Sequence, residues 1–251
     1  MANQLSYPLI IAHRGGSGHA PENTLSAFQT AIDQGADGIE LDVHLSVDGE
    51  VVVIHDSDLG RTTNGTGSVY QKTLKEIKQL DAGSWFDESF SGEAVPSLSE
   101  VLELVGKQCL INIELKGPGL FRSKLPDKVV EIVRQYALEE QIIYSSFNPW
   151  QLRKIGKLLP SAKLGMLLPP GVLAVLVRVL SRLVVVPWGY HPHFQSVTED
   201  FIRFAAGKSR PVLAWTVNEP AELARLCAHG IYGIITDYPS RALEKRMASD
   251  Q

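Results

Sequence analysis

Short apolar or β-branched segments alternate along the chain with amphipathic segments of helical period, and this alternation constrains the fold more than any other feature. The pattern is typical of strand–helix units built around a parallel sheet. The strand candidates are Leu9–Ala12, Gly38–Val43, Val51–His55, Leu110–Leu115, Ile142–Ser145, Lys163–Leu167, Leu183–Val186, Val212–Val217 and Gly233–Thr236. The helix candidates include Thr24–Gln34, Ser99–Val105, Asp127–Tyr136, Pro149–Leu158, Val172–Arg182, Thr198–Ala206, Pro220–Ala228 and Ser240–Ala248.

The connection between the second and third strand candidates is too short for a parallel crossover. It spans His44–Glu50 and contains Asp48-Gly49, whereas a crossover needs roughly a dozen residues or more. We therefore expect an antiparallel hairpin that turns at Asp-Gly. The eight remaining strands, most of them followed by a helix, predict a (β/α)₈ TIM barrel with residues 1–251 as one domain. The segment Asp56–Pro96 is then an insertion on the second βα loop.

Composition and charge exclude several functional classes. A hydrophobic fraction of 44% is typical of a globular domain, and a net charge of −4 without any lysine or arginine run speaks against nucleic-acid binding. The two cysteines, Cys109 and Cys227, lack metal-binding spacing and are expected to be reduced thiols. The N-terminal residues show no export signal, so we expect a cytoplasmic protein.

The most apolar stretch of the chain is Gly171–Val186. It is short for a membrane span and contains Arg178 and Arg182, four residues apart. We expect a helix on the outside of the domain with its basic stripe in water. The alternative is an interfacial surface, so transient contact with lipid stays open while stable membrane insertion is not expected.

Three acidic residues are predicted to point into the barrel near its C-terminal rim. In strand Gly38–Val43 the apolar residues alternate with Glu40 and Asp42, and strand Leu110–Leu115 places Glu114 in the same way. Unpaired buried carboxylates are costly, and hard oxygen ligands favour one divalent cation, Mg²⁺ or Ca²⁺. The structural alternative is that neighbouring basic side chains simply neutralise the acids as ion pairs.

Two histidines and two basic residues come at the ends of predicted strands. The first strand ends in His13-Arg14, Val51–His55 ends in His55, and Lys116 follows the strand that carries Glu114. Histidine exchanges protons near neutral pH, and Arg14 and Lys116 offer positive charge to an oxyanion. Together with a cation these residues favour hydrolysis of a phosphoester.

Ordered motifs with matching spacings extend from residue 9 to about residue 239. They are His13-Arg14-Gly15, Pro21-Glu22-Asn23-Thr24, Glu40-Leu41-Asp42-Val43, His55-Asp56, Glu114-Leu115-Lys116, Ser145-Ser146-Phe147, Ala214-Trp215-Thr216-Val217-Asn218 and Gly233-Ile234-Ile235-Thr236-Asp237. The set resembles the glycerophosphodiester phosphodiesterase family of the bacterial cytoplasmic type. No single motif is decisive, but the ordered set is highly specific.

This resemblance implies a TIM barrel that hydrolyses small-molecule glycerophosphodiesters to glycerol 3-phosphate and an alcohol. By this resemblance the metal ligands are Glu40, Asp42 and Glu114, and the acid–base pair is His13 and His55. The resemblance likewise implies phosphate contacts from Arg14 and Lys116 and apolar pocket walls from Phe147 and Trp215. It also favours attack by the substrate's own 2-hydroxyl, with direct attack by water as the alternative. The roles of the two histidines, the preferred head group, the choice between Mg²⁺ and Ca²⁺ and the oligomeric state stay open.

Two alternative functions are also compatible with these residues. One is a lysophospholipase D-type hydrolysis of single-chain lysophospholipids by the same site. The other is a catalytically inactive barrel that binds phosphodiesters, which the presence of all the acids, histidines and basic residues disfavours.

Other polar residues have weaker claims to a role in the site. Glu22 could steady Arg14, Asn23 or Thr24 could cap a helix, and Asp237 could hold a neighbouring basic group or cap the final helix. The pair His191 and His193 is expected in a loop that faces solvent rather than at a metal.

Overall fold

A computed structural model describes residues 8–117 and 123–249. The strands within those residues are β1 (Leu9–Ala12), β2 (Gly38–Leu45), β3 (Val51–Val53), β4 (Leu110–Leu115), β5 (Ile142–Ser146), β6 (Lys163–Leu168), β7 (Gly189–Pro192), β8 (Leu213–Ala214) and β9 (Gly233–Thr236). The helices are α1 (Leu25–Asp33), α2 (Leu74–Ile77), α3 (Leu98–Val105), α4 (Leu125–Gln135), α5 (Pro149–Leu158), α6 (Val172–Ser181), α7 (Glu199–Ala206), α8 (Pro220–Ala228) and α9 (Pro239–Ser249).

Eight of these strands form a parallel sheet in the order β7-β6-β5-β4-β2-β1-β9-β8. Two isolated parallel bridges, Tyr190 to Val212 and His193 to Trp215, join the outer strands β7 and β8 and nearly close the sheet. Helices alternate with the strands along the chain. The TIM-barrel prediction is therefore confirmed.

The short connection after β2 forms the predicted hairpin. β3 pairs with β2 in the antiparallel sense, with Val43 opposite Val53 and Leu45 opposite Val51. The chain then passes from β3 to α3 through α2 and two short 3₁₀ turns. A small apolar cluster, which includes Val52, supports this connection from beneath. α2, which lies within the amphipathic sequence TLKEIKQL, is only one turn long.

The helices begin at residues whose side chains or geometry favour a helix start. Thr24 accepts a hydrogen bond from the amide of Ala27 at the start of α1, and Ser97 forms a capping box with Glu100 at the start of α3. Proline occupies the first turn of α4, α5 and α8, where its missing N–H costs nothing. Predicted and observed helix ends consequently agree closely.

The interior of the barrel is filled by apolar side chains at one level and polar ones at another. Ile11, Ile143, Leu213 and Ile235 form a buried cluster of inward-facing residues. A larger cluster packs the outer faces of the strands against the helices. The inward positions one step further along β2 and β4 are polar, so the polar site lies above the apolar layer, towards the C-terminal ends of the strands.

The strand predicted at Leu183–Val186 is wrong, because the seventh barrel strand is Gly189–Pro192. Leu183 and Val186 lie in the connection after α6, where their side chains are 82% and 69% exposed. Hydrophobicity misled the prediction because β7 carries neither valine nor isoleucine.

The expectation that His191 and His193 lie in a solvent-facing loop is also wrong for His191. This residue belongs to β7, and its ring is fully buried inside the barrel against Gly165 of β6. Burial lowers the pKa of His191 to about 3, so the ring is neutral. Neither ring nitrogen has a hydrogen-bond partner among the described residues.

The expected basic stripe of α6 is only partly in water. The guanidinium of Arg178 stacks 4.1 Å from the ring centroid of Phe204, whereas Arg182 is exposed. Apolar side chains occupy most of the outer face of the helix. Among the described residues, no helix combines the length and apolar character needed to cross a bilayer.

The contact between Gly165 and His191 predicts a specific packing defect. A Cβ on Gly165 would lie 2.4 Å from Nε2 of His191, so Gly165→Ala should lower the free energy of unfolding by about 1–3 kcal/mol through overpacking. Urea denaturation at equilibrium measures the loss. The double variant Gly165→Ala/His191→Ala should lose less than the sum of the two single variants, because the methyl group occupies space that the ring vacates. Strictly additive losses would contradict this contact.

Candidate active site

Three carboxyl groups meet at the C-terminal ends of two neighbouring strands. Parallel pairing of β2 with β4 places Asp42 opposite Glu114, and Glu40 lies two residues before Asp42 on the same face. All three residues are buried, and one ligand oxygen from each lies within 4.8 Å of the others. The sequence prediction that these acids converge therefore agrees with the geometry.

Two basic side chains balance this acidic cluster only in part. Arg14 Nε lies 3.3 Å and Lys116 Nζ lies 3.1 Å from Asp42. Lys116 also lies 2.6 Å from Glu114. Both ion pairs that the structural alternative anticipated are thus present, but two positive charges face three carboxyl groups.

The carboxyl groups of the cluster differ in their affinity for protons. Burial alone would raise the pKa of Asp42, but Lys116 and Arg14 outweigh it and hold that pKa well below its ordinary value. Burial and the neighbouring Asp42 raise the pKa of Glu40 well above its ordinary value. Burial, although opposed by Lys116, raises the pKa of Glu114 to about 7. Asp42 therefore stays ionised, whereas the two glutamates hold protons more readily until further positive charge is supplied.

The acidic cluster fits a divalent cation. Its three carboxylates are hard oxygen ligands, which suit Mg²⁺ or Ca²⁺ better than zinc. Glu40 accepts a hydrogen bond from the backbone N–H of Arg14 and has no side-chain cation within 4.0 Å among the described residues. A cation would supply positive charge to Glu40 and to Glu114, which shares Lys116 with Asp42.

The tight turn after β1 aims Arg14 at this cluster. Arg14 itself has a left-handed backbone with φ 54°, and Gly15 follows with φ 85°. A Cβ on Gly15 would lie 2.6 Å from the backbone of Ala27, so glycine is required there. The guanidinium is also held by Glu22, at 2.8 Å. Glu22 therefore steadies Arg14, as the sequence suggested.

Each of the two candidate histidines is held by a carboxylate at the same ring atom. Nδ1 of His13 lies 2.6 Å from Asp237, and Nδ1 of His55 lies 2.5 Å from Asp56. Since a carboxylate accepts the hydrogen bond, Nδ1 carries the proton in each neutral ring. Nε2 of each ring is then the nitrogen free to exchange a proton. Burial lowers the pKa of His55, which favours its neutral form.

Further polar residues fix these two carboxylates. Asp237 accepts hydrogen bonds from Ser17 Oγ at 2.9 Å and Asn218 Nδ2 at 2.5 Å. Asp56 accepts one from Arg61 Nε at 2.6 Å, and that hydrogen bond lowers the pKa of Asp56 to about 2. Both histidine partners consequently stay ionised and in place.

Arg61 was missed by sequence reasoning. Its guanidinium bridges Asp56 and Glu22, so it couples the partner of His55 to the partner of Arg14. Arg61 lies in the polar segment that follows His55, where no periodic pattern distinguishes a site residue from a surface residue.

His44 was also missed, although the alternation that selected Glu40 and Asp42 continues to it. The predicted strand ended two residues too early, at Val43 instead of Leu45. Nε2 of His44 donates to the backbone oxygen of His55 at 2.9 Å, and its Nδ1 accepts from the hydroxyl of Tyr70 at 2.7 Å. Burial lowers the pKa of His44, which keeps the neutral ring that this pattern requires. His44 thereby positions the backbone after β3 that carries His55.

Three other polar residues with weaker claims to a role in the site have clear contacts in the structure. Asn23 donates to Asp42 Oδ2 at 2.9 Å, which places it in the site, while Thr24 caps α1. Asp237 holds His13, as one of the sequence alternatives proposed.

All nine predicted site residues except Asp42 line one pocket of about 90 Å³, and Asp42 lies buried beside it. Phe147 and Trp215 form an aromatic wall there, with their ring centroids 5.7 Å apart. Trp215 is fixed by a hydrogen bond from Nε1 to the backbone oxygen of His191 at 2.7 Å. A wider groove continues from the pocket past His55 and Phe147 towards Tyr70.

Comparison with known proteins identifies the family. The model of the glycerophosphoryl diester phosphodiesterase family matches residues 13–241. A glycerophosphodiester phosphodiesterase of Caldanaerobacter subterraneus subsp. tengcongensis is 41% identical over 92% of this chain and 94% of its own. One from Bacillus altitudinis is 38% identical over 94% of this chain and 97% of its own.

A solved structure with a bound product is similar throughout. It is an Oleispira antarctica phosphodiesterase in complex with the product sn-glycerol 3-phosphate. It has a TM-score of 0.85 and 33% identity, with 95% of this chain and 96% of that chain covered. The chain belongs to the glycerophosphoryl diester phosphodiesterase family.

Proposed function

We propose that this protein hydrolyses glycerophosphodiesters to glycerol 3-phosphate and an alcohol, with His13 and His55 as its acid–base pair. The observation that carries the proposal is the pair of histidine–carboxylate contacts on either side of a buried three-carboxylate cluster. Membership of the family and the likeness to the product-bound Oleispira structure support the same substrate class.

Charge in the pocket matches one anionic phosphodiester. Three carboxylates, two basic side chains and a divalent cation sum to a charge of +1, and the substrate's phosphodiester carries −1. Arg14 and Lys116 would bind the non-bridging phosphate oxygens and stabilise the charge that develops there. Phe147 and Trp215 would pack against the apolar surface of the glycerol or of the leaving group.

Proton transfer falls to the two imidazoles. One Nε2 accepts the proton of the attacking hydroxyl while the other, in its protonated ring, donates a proton to the oxygen of the departing alcohol. The P–O bond to the attacking oxygen forms as the P–O bond to the alcohol breaks. In the route that the family resemblance favours, the attacking oxygen is the substrate's 2-hydroxyl, and water then opens the cyclic phosphate. Asp237 and Asp56 hold the rings in the tautomer that this exchange needs.

Glu40, Asp42 and Glu114 would hold a single Mg²⁺ or Ca²⁺. When bound, the cation supplies Lewis-acid stabilisation to a phosphoryl oxygen. Asn23 keeps Asp42 oriented through its side-chain amide, at 2.9 Å.

We also propose a cytoplasmic location and a small-molecule substrate. Among the described residues, neither Cys109 nor Cys227 forms a disulfide, which fits a reducing compartment. The pocket of about 90 Å³ suits a glycerol phosphate moiety rather than a nucleic acid.

Removal of either imidazole tests the acid–base pair. His13→Ala and His55→Ala should each lower kcat by about 10²–10⁴-fold, because each deletes one proton-transfer step. Release of glycerol 3-phosphate from glycerophosphocholine is the readout. His19→Ala is the matched control, since His19 is exposed near the same rim and does not line the pocket. Near-normal turnover in both the His13 and His55 variants would refute the assignment.

Removal and return of the cation test the acidic cluster by activity and by stability. Chelation should abolish turnover, and Mg²⁺ or Ca²⁺ should restore it. The same ion should raise the Tm of the folded protein, because a ligand that binds only the native state stabilises it. Glu114→Gln should remove most of this Tm increase.

The control for the metal test is Glu93→Gln, a change at a carboxylate that contacts Ser26 outside the pocket. This variant should keep the full metal-dependent rise in Tm. An identical rise in the Glu114→Gln variant would show that the cation binds elsewhere.

A further inference from the structure

The outer face of α6 exposes an unusual set of apolar side chains. Its members each expose 52–57% of their surface, and they are Leu173, Val175, Leu176, Val179 and Leu180. Leu183 and Val186, in the segment after the helix, extend this surface with 82% and 69% exposure. We call these seven residues the α6 face. Contiguous apolar surface of this kind marks an interaction site rather than ordinary solvent-facing surface.

The inner side of the same helix carries smaller residues. Ala174 and Ser181 are buried against the barrel, while the leucines point outwards. A helix that only covered a barrel would show the opposite arrangement, with its large apolar residues inside. The outward leucines therefore need an explanation other than packing within this chain.

The chain around α6 is also basic. Residues 141–198 contain no aspartate or glutamate, and they contain six basic residues, although the whole chain has a net charge of −4. The basic residues are Arg153, Lys154, Lys157, Lys163, Arg178 and Arg182.

Several of these positive charges are unpaired. Arg153, Lys157 and Arg182 are exposed, and none of them takes part in an ion pair with any described residue. Arg153 and Lys157 lie one turn apart on α5, the helix before α6 in the barrel. This region is bordered by Glu139 and Glu140 before it and by Glu199 and Asp200 after it, and the latter two pair with Arg203 on their own helix. An anionic partner would therefore meet uncompensated positive charge.

We propose that the α6 face binds the surface of a bilayer that contains anionic phospholipid. Apolar side chains flanked by unpaired basic residues match an interface where acyl chains lie beneath negatively charged head groups. A second copy of this chain is a poorer match, because a twofold contact would place the same basic rim against itself.

Docking through this face would place the pocket next to the bilayer. Three residues connect the end of β6 to the start of α6, and Leu167 of β6 lines the pocket. The N-terminal end of the α6 face therefore lies at the rim where the candidate active site opens. This inference concerns binding and does not depend on the proposed reaction.

Vesicle sedimentation tests the proposal with the full chain. The protein should partition onto vesicles of phosphatidylcholine and phosphatidylglycerol, bind pure phosphatidylcholine less, and dissociate as salt is raised. Leu176→Glu should lower partitioning by about tenfold or more, because it places a charge in the apolar contact. Arg182→Gln should lower it by about fivefold, since one basic residue near an anionic surface contributes about 1 kcal/mol.

Matched controls separate docking from folding and catalysis. Met247→Glu alters an equally exposed apolar residue on α9, so it should leave partitioning unchanged. The α6 variants should keep the far-UV circular dichroism of the parent protein and its turnover of water-soluble glycerophosphocholine. Failure of the unaltered protein to bind anionic vesicles, or equal binding by Leu176→Glu, would overturn the proposal. A dimer in solution that dissociates in the Leu176→Glu variant would also overturn the proposal, because a second copy of the chain would then cover the α6 face.

Discussion

Within the part of the chain that the structure describes, the carboxyl groups of Glu40, Asp42 and Glu114 share a buried space with two basic side chains, Arg14 and Lys116. Coulomb repulsion among carboxylates is strong away from water, and ion pairs offset it only for as many charges as there are partners. Asp42 takes most of the available attraction, since both basic groups lie within 3.3 Å of it. The two glutamates retain protons more readily as a result. A divalent cation would relieve this imbalance.

The barrel supplies the geometry that makes such a cluster possible. Register between β2 and β4 fixes Asp42 opposite Glu114, and the turn after β1 adds Arg14. Below the cluster, apolar residues fill the barrel interior and exclude bulk water. The two histidines then lie at the rim, each with Nδ1 tied to a carboxylate. The site is therefore open at the rim of the barrel and closed below by the apolar layer.

Much of this arrangement could be predicted because it follows from the period of two in a strand. That period selected Glu40, Asp42 and Glu114, and the short connection after β2 revealed the hairpin. The prediction missed His44 because it ended the strand at Val43, although the alternation continues to Leu45. It missed Arg61 because an irregular segment carries no periodic signal, and ion pairs between distant segments depend on tertiary structure.

The errors around α6 and β7 have a different physical cause. Leucine and valine at residues 183–186 have strand-like composition, but they lie in the connection after α6, where Leu183 and Val186 are exposed. The seventh barrel strand contains Gly189 and His191, and the ring of His191 fits inside the barrel because Gly165 has no side chain there. Sequence hydrophobicity cannot distinguish apolar residues that fill a core from apolar residues that form an external surface.

A crystal structure of the protein grown with Ca²⁺ and sn-glycerol 3-phosphate would show whether the acids and the histidines act on one ligand. We expect one cation bound by oxygens of Glu40, Asp42 and Glu114, with the phosphate against Arg14 and Lys116. We also expect Nε2 of both His13 and His55 to face the phosphate. A cation bound away from the three acids, or imidazoles turned away from the phosphate, would contradict these roles.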